Sequence, residues 1–208
     1  MKRTAVLFLF MILGLSGAGA AMAQEEILIN GSTTVLPVMQ MAGESFMAAN
    51  PGISLAISGG GSGNGIKALN EGLCDIAMSS RDIKSSEVEQ GKAKGVAPVR
   101  TAVAVDALIP VVHPDNPVRE LSLEQLRDIY SGKIRNWKEA GGSDETIVVI
   151  SRDTSSGTYE TWAEIVMAKV KVAPSAPLTA SNGAVAQAVA KHRQALRHIG
   201  PATYPQLT

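Results

Sequence analysis

The chain has 208 residues, of which 45% are hydrophobic and only 4% aromatic, and its formal net charge at pH 7 is zero. This length suits one large domain or two small lobes, with cores built from aliphatic side chains. A net charge of zero argues against binding to nucleic acid, which requires a basic face. The single cysteine, Cys74, excludes an intramolecular disulfide, and we expect it to be a small buried hydrophobic residue.

The N-terminus has the pattern of a secretory signal peptide. Two basic residues precede an apolar stretch, residues 5–15, which is too short to span a bilayer, and Ala21–Ala23 matches an A-x-A cleavage site. We therefore predict that residues 1–23 are removed, that the mature chain begins at Gln24, and that it is periplasmic. An N-terminal membrane anchor is the alternative interpretation.

Along the rest of the chain, strand-like and helix-like patterns alternate. Short apolar runs bounded by turn residues predict strands, and apolar residues at helical spacing predict helices. The predicted strands are 26–30, 53–58, 74–78, a strand-like segment within 99–112, and 146–150; the predicted helices are 35–50, 66–72, 87–94, one that opens at 121–126, 159–172 and 183–192. This alternation implies an α/β fold with largely parallel sheets.

Three of the predicted strand-to-helix turns carry the same chemistry: Gly31–Thr34, Gly61–Gly65 and Ser155–Thr158. Each supplies short hydroxyl side chains and unhindered backbone N–H groups at a helix N-terminus, where the helix dipole favours negative charge. In open α/β sheets, ligands bind at the carboxyl ends of strands, which is where all three turns fall. Simple helix capping explains any one of them, but the three together predict a receptor for an oxyanion.

Arg152 is the strongest single candidate for contact with such an anion. It lies just before the third turn, and its guanidinium fork can hold two oxygens of a tetrahedral anion. The alternative is a surface ion pair with Asp153. Arg81, in the turn after the third predicted strand, is explained equally well by a solvated or inter-lobe salt bridge and by ligand contact.

Residue spacing disfavours catalytic and cofactor sites. The segment Gly59–Gly65 fails the dinucleotide-binding G-x-G-x-x-G pattern because Asn64 stands at the third glycine position, and the same residue breaks the G-x-S-x-G pattern of serine hydrolases around Ser62. The three histidines form no metal-binding pair. A secreted hydrolase that uses Ser62 or Ser156 lacks a histidine partner, so we expect no catalytic residue, no metal and no cofactor.

At these motifs the chain resembles the PstS-like phosphate-binding proteins of bacterial ABC transporters, a branch of the periplasmic binding proteins. The resemblance extends from about residue 27 to about residue 189, in order and spacing, and it rests on the segments Gly31–Val35, Gly59–Gly65, Met78–Arg81, Ser131–Trp137 and Ser151–Thr158. It implies a two-lobed, type II-like α/β protein with mainly parallel sheets flanked by helices. Such a protein closes on one phosphate, delivers it to an ABC permease, and acts as a monomer.

The resemblance also implies which residues hold the phosphate. In the first lobe they are Ser32, Thr33, Thr34 (including its backbone), Ser62 and Ser80, and in the second lobe they are Arg152, Ser156, Gly157 and Thr158. Many members of the family carry an aspartate at the position of Ser80, where it accepts a hydrogen bond from protonated phosphate. Because Ser80 replaces that acceptor, binding of another oxyanion, sulfate or molybdate, stays open as an alternative.

By the same resemblance, the chain divides into a first lobe (24–105), a second lobe (106–196) and an atypical tail (197–208). The family usually crosses back to the first lobe after an IGY-type strand, whereas here Arg197–Pro201 reads RHIGP. We therefore expect a truncated C-terminus and a first lobe that lacks its closing strands.

Overall fold

The computed structural model describes residues 25–199. The predicted signal peptide and residues 200–208 of the predicted tail lie outside this range. The elements follow one another as β1 (Glu25–Gly31), α1 (Leu36–Ala49), β2 (Ile53–Gly59), α2 (Ser62–Asn70), β3 (Ile76–Met78), α3 (Ser85–Ala93), β4 (Ile109–Val112), α4 (Leu123–Ser131), a 3₁₀ turn (Trp137–Ala140), β5 (Val148–Val149), β6 (Ser151–Arg152), α5 (Gly157–Ile165), β7 (Leu178–Thr179), α6 (Asn182–Lys191) and β8 (Ala195–Ile199).

The first lobe consists of the elements from β1 to α3. Its sheet has the order β2-β1-β3, and both pairings are parallel. The carboxyl ends of the three strands therefore lie at one edge, where the Ser32 N–H donates to Met78 O at 2.8 Å and the Gly60 N–H donates to Gly31 O at 2.8 Å. This arrangement places the turns after β1, β2 and β3 side by side.

The second lobe consists of the elements from β4 to β8. Its main sheet has the order β4-β8-β5, with β8 parallel to β5 and antiparallel to β4, and β6 pairs with β7 in parallel. Its core contains Tyr130, Trp137 and Trp162, all buried. The Trp162 ring stacks on His198 with ring centroids 4.4 Å apart. Both tryptophans are thus packing residues, and Cys74 in the first lobe is buried as expected.

Several predicted boundaries are wrong. The strand-like segment 99–112 contains only β4 at its end, and residues 96–108 have no regular structure, because no strand within residues 25–199 pairs with the exposed Val103 and Val105. The predicted helix 159–172 ends at Ile165, since the backbone turns left-handed at Ala168 (φ 46°) and Lys169 (φ 69°).

Other differences concern strands and the start of α2. The helix predicted to begin at Ile66 begins at Ser62, so part of the glycine-rich segment is helical. The predicted strand 146–150 is represented by β5, with β6 just beyond it, and β7 and β8 were not predicted. Because β8 runs to Ile199, the first residues of the predicted tail belong to the sheet of the second lobe. No helix within residues 25–199 combines the length and apolar character needed to cross a membrane.

Candidate functional site

The three turns that share the same chemistry meet where the two lobes touch. Thr34 Oγ1 lies 3.0 Å from Thr158 Oγ1, although 124 positions separate them. The Gly63 N–H donates to Ser155 O at 2.9 Å. The N-termini of α2, α5 and α6 all take part in contacts across this junction, so the positive ends of three helix dipoles point towards it.

A buried hydrogen-bond network forms the centre of this junction. Asn182, the first residue of α6, is fully buried and contacts both lobes. Its Nδ2 donates to Thr34 Oγ1 at 2.6 Å, its Oδ1 accepts from Arg152 Nη1 at 2.6 Å, and its N–H donates to Thr33 Oγ1 at 3.4 Å. Asn182 was not among the residues predicted from the sequence. The available signal was its place after Ser181 at the start of the last predicted helix, another helix start that carries a hydroxyl group.

Arg152 lies on β6 and is only 2% exposed. Its Nε donates to Thr179 O at 3.0 Å and its Nη2 donates to Ala180 O at 3.1 Å. Burial lowers the pKa of Arg152, and the nearby negative charge of Asp153 opposes that shift. Within residues 25–199 no carboxylate forms an ion pair with Arg152. The guanidinium is therefore a buried positive charge that is held only by neutral oxygen atoms.

Ser62, Ser80 and Gly157 form a second contact between the lobes. Ser62 Oγ accepts from the Ser80 N–H at 3.1 Å and lies 3.2 Å from Ser80 Oγ. A Cβ atom at position 157 would overlap with Ser62 Oγ and would lie 2.7 Å from Ser80 Oγ. Glycine is therefore required for the start of α5 to approach these two hydroxyls.

Ser32 and Ser156 use their hydroxyl groups locally. Ser156 Oγ accepts from the Tyr159 N–H at 3.3 Å as the N-cap of α5. Ser32 Oγ accepts from the Thr34 N–H at 3.2 Å, so the backbone donor of Thr34 already has a partner. By contrast, the N–H groups of Gly157 and Thr158 have no acceptor within residues 25–199. These two amides are the free donors at the start of α5.

Charged side chains link the lobes at the edge of this junction. The side chain of Arg81 is 8% exposed and forms a two-point ion pair with Glu87, in which Nη1 and Nη2 lie 2.8 Å and 2.7 Å from the carboxylate oxygens. Its Nε lies 3.0 Å from Glu160 Oε1 on α5, and Glu160 also pairs with Lys84. The hydrogen bond to Glu87 raises the pKa of Arg81. Of its two interpretations, the structure supports the inter-lobe salt bridge.

Carboxylates near the junction are already engaged. Asp153 Oδ1 accepts from the Ser155 N–H at 2.9 Å and from the Ser155 hydroxyl. Asp82 is exposed and pairs with Arg100 at 2.7 Å. Within residues 25–199 neither aspartate forms a hydrogen bond or an ion pair with Ser80 or Arg152. No group of three or more His, Cys, Asp or Glu side chains in the described part of the chain could hold a metal ion.

A profile of the PBP superfamily domain matches residues 16–205, and the chain belongs to this superfamily. Within it the chain is PstS-like. It is 37% identical over 149 residues to the phosphate-binding protein PstS of Bacillus subtilis (strain 168). This alignment covers 72% of this chain and 48% of that protein. It is also 31% identical over 203 residues to the phosphate-binding protein PstS of Staphylococcus saprophyticus. This alignment covers 94% of this chain and 63% of that protein.

A solved structure gives the same result. The crystal structure of a phosphate ABC transporter substrate-binding protein from Clostridium perfringens, described as containing bound phosphate, superimposes with a TM-score of 0.76 at 38% identity and covers 85% of this chain and 70% of that chain. The predicted fold class, a two-lobed α/β protein, is confirmed. The chain spans 48% of the length of the Bacillus subtilis relative and 63% of the length of the Staphylococcus saprophyticus relative.

Proposed function

We propose that the chain captures inorganic phosphate between its two lobes and delivers it to the permease of an ABC transporter. In this proposal it is a periplasmic monomer that is exported after removal of residues 1–23, and it performs no catalysis. Membership of the PBP superfamily and the similarity to proteins named phosphate-binding protein PstS support the proposal. In the proposal the first lobe is residues 24–105, and the second lobe begins at residue 106 and extends beyond its predicted end at residue 196 to the end of β8 at Ile199.

The observation that carries the proposal is the environment of Arg152. A buried guanidinium without a carboxylate partner is costly, and an anion would offset that cost. Four further groups that suit an anion lie at the same junction: the free N–H groups of Gly157 and Thr158 and the hydroxyls of Thr34 and Thr158. Fixed dipoles and hydrogen bonds would thus provide most of the binding, and Arg152 would provide one full charge.

The proposed binding residues play different parts. The hydroxyls of Thr33, Thr34, Ser62, Ser80 and Thr158 lie at the contact between the lobes, so we expect them to exchange their present partners for anion oxygens. Ser32 and Ser156 cap neighbouring N–H groups, so we expect them to shape the turns, and Gly157 allows the close approach.

Titration calorimetry with inorganic phosphate tests this proposal. Arg152→Ala removes a charge-assisted contact to a desolvated anion, so we expect affinity to fall by about 100-fold or more. Arg193→Ala is the matched control, because Arg193 is an exposed arginine of the second lobe with a side chain 68% exposed, and its loss should leave affinity unchanged. Equal affinities of the wild-type chain and Arg152→Ala would remove Arg152 from the site.

Ser80 motivates a second candidate, binding of sulfate or molybdate. A carboxylate at this position could only accept a hydrogen bond, as from protonated phosphate, and would repel fully ionised sulfate, whereas the neutral Ser80 hydroxyl can donate as well as accept and does not repel sulfate. Competition between phosphate and sulfate at several pH values separates the candidates. If the chain prefers sulfate at every pH value, sulfate and not phosphate is its ligand. Under the phosphate proposal, Ser80→Asp should increase discrimination against sulfate.

A further inference from the structure

We propose that Asn182 is a positioning residue that couples the two lobes and aligns Arg152 and Thr34 for the anion. The inference rests on the proposed function, since it concerns the same junction. Asn182 is 0% exposed, and its side chain joins Thr34 in the first lobe to Arg152 in the second. It is thus placed to transmit the position of one lobe to the other.

The asparagine amide suits this position because it is both a donor and an acceptor. Its Oδ1 accepts from Arg152 Nη1 and its Nδ2 donates to Thr34 Oγ1, each at 2.6 Å. An ionised aspartate of nearly the same shape has only acceptor atoms, and alanine has neither function. The network therefore requires an amide at position 182.

The contact with Asn182 fixes the orientation of the Arg152 guanidinium. Arginine has five N–H groups, and three donate here to Thr179 O, Ala180 O and Asn182 Oδ1. The two that remain, one on Nη1 and one on Nη2, are left for the oxygens of an anion. Asn182 thus limits Arg152 to a geometry in which this pair stays available.

Asn182 also leaves the Thr34 hydroxyl proton available to a ligand. Thr34 Oγ1 accepts the hydrogen bond from Asn182 Nδ2, so this contact uses only a lone pair of the oxygen. Its other side-chain partner within residues 25–199 is Thr158 Oγ1 at 3.0 Å, a pair in which either hydroxyl can donate. When an anion enters between the two threonines, Thr34 can therefore donate to it without losing the contact with Asn182.

Two substitutions test the inference by phosphate titration. Asn182→Ala should weaken binding by about tenfold, because it frees Arg152 and Thr34 from their alignment. Asn182→Asp should weaken it by about 100-fold or more, because a carboxylate beside Arg152 competes with the anion for the one fixed charge. Asn116→Ala is the control: Asn116 is a buried asparagine of the second lobe, and within residues 25–199 its Oδ1 accepts only from the Val118 N–H, at 2.9 Å. It should lower thermal stability and leave affinity unchanged.

A double-mutant cycle separates positioning from simple stabilisation. If Asn182 acts partly through Thr34, then Asn182→Ala should reduce phosphate affinity less in a Thr34→Val background than in the wild-type chain. A merely structural role predicts equal reductions in both backgrounds, together with similar effects of Asn182→Ala and Asn182→Asp. Those two results together would overturn the inference while leaving phosphate binding itself intact.

A measurement without ligand keeps the inference separate from the proposed function. Spin labels at exposed Ser45→Cys and Lys171→Cys, in a Cys74→Ala background, report the distance between the lobes. Asn182→Ala should lengthen or broaden this distance, and Asn116→Ala should not. If the wild-type chain binds no phosphate, the proposed function fails, and the coupling of the two lobes by Asn182 is tested by this distance alone. An unchanged distance in Asn182→Ala would then overturn that coupling.

Discussion

Thr34 Oγ1 and Thr158 Oγ1 lie 3.0 Å apart in a buried contact that joins the first lobe to the second. Both hydroxyls belong to turns that the sequence analysis selected as anion-binding, and here they satisfy each other. An entering anion must replace this contact with two hydrogen bonds of its own. The lobes therefore already meet through the groups proposed to hold the ligand, and changes that affect their approach should affect binding.

The first prediction concerns how closely the lobes can approach. In Gly157→Ala, the new methyl group would overlap with Ser62 Oγ and would lie 2.7 Å from Ser80 Oγ, so the start of α5 must move away from the first lobe. We expect phosphate affinity to fall by at least about tenfold, because a small displacement breaks several hydrogen bonds to one anion at once. Calorimetric titration measures this loss.

Gly52→Ala is the matched control for this substitution. A Cβ atom at Gly52 would meet no other atom within 4 Å, and Gly52 lies in a turn of the first lobe before β2. Affinity should not change in this variant. An affinity of Gly157→Ala equal to that of the wild-type chain would mean that the contact of Gly157 with Ser62 and Ser80 is absent from the ligand-bound state.

The second prediction concerns the ion pairs between the lobes. Glu160→Gln removes the partner of Lys84 and one of the two partners of Arg81, while Glu87 still holds Arg81. Partly exposed ion pairs contribute about 0.2–1 kcal/mol each, so the loss of both should lower phosphate affinity by about twofold to about thirtyfold at low salt. Since salt screens such pairs, the difference from the wild-type chain should diminish as ionic strength rises.

Asp144→Asn provides the comparison for Glu160→Gln. It removes the pair of Lys138 and Asp144, which lies within the second lobe with both side chains about 70% exposed. This variant should bind phosphate like the wild-type chain at every ionic strength. If Glu160→Gln shows the same salt dependence as the wild-type chain, the ion pairs do not contribute to closure.

The sequence allowed the core of the junction to be predicted for a simple geometric reason. Parallel strands place their carboxyl ends at one edge, so the turns beginning at Gly31 and Gly61 had to be neighbours. That Ser155–Thr158 lies opposite them followed only from the resemblance to a two-lobed family. Asn182 was missed because β7, which precedes α6, has only two residues and gives no strand-like pattern.

The wrong boundaries depend on contacts that are distant in sequence. Val99, Val103 and Val105 have the composition of a strand, but a strand forms only where a neighbour offers hydrogen bonds. β8 escaped prediction because Arg197 and His198 are polar, although both are buried. Propensity and periodicity describe local preference, whereas these segments are determined by the surrounding sheet and core.

The third prediction concerns pH and His198. Burial, together with the positive charges of Arg197 and Arg152, lowers the pKa of His198 to about 3. The unfolded chain binds a proton at this histidine below about pH 6.5, whereas the folded chain does not. The free energy of unfolding should therefore fall by about 2 kcal/mol from this group alone between pH 7 and pH 5.

His198→Phe tests this linkage because it keeps an aromatic ring beside Trp162 and removes the titrating group. Urea unfolding at pH 7 and pH 5 should show a smaller pH dependence in this variant than in the wild-type chain. His192→Phe replaces an exposed histidine and should keep the wild-type dependence. Equal pH dependence of all three chains would show that His198 titrates normally in the folded state.

The fourth prediction concerns Arg197, a buried charge in the central strand of the second sheet. Arg197 is 1% exposed, and its Nε and Nη1 have no acceptor within residues 25–199. Burial is the main cause that lowers its pKa, Tyr130 opposes the shift and the charge of Arg152 adds to it; the resulting pKa is about 9, so Arg197 is still charged at pH 7. The folded chain releases this proton more readily than the unfolded chain. The charge of Arg197 therefore lowers the free energy of unfolding by its full amount below about pH 9 and by less above that pH.

Arg197→Met keeps an unbranched apolar side chain of similar length and removes the charge. We expect the free energy of unfolding to rise by about 2 kcal/mol or more at pH 7, which corresponds to an increase in Tm of about 5 °C. The gain should be smaller in denaturant titrations at pH 10, where the wild-type arginine begins to lose its proton in the folded state. Arg193→Met, at an exposed position, should leave Tm unchanged. A lower Tm for Arg197→Met than for the wild-type chain would mean that Arg197 has an acceptor or counter-ion that stabilises the second lobe.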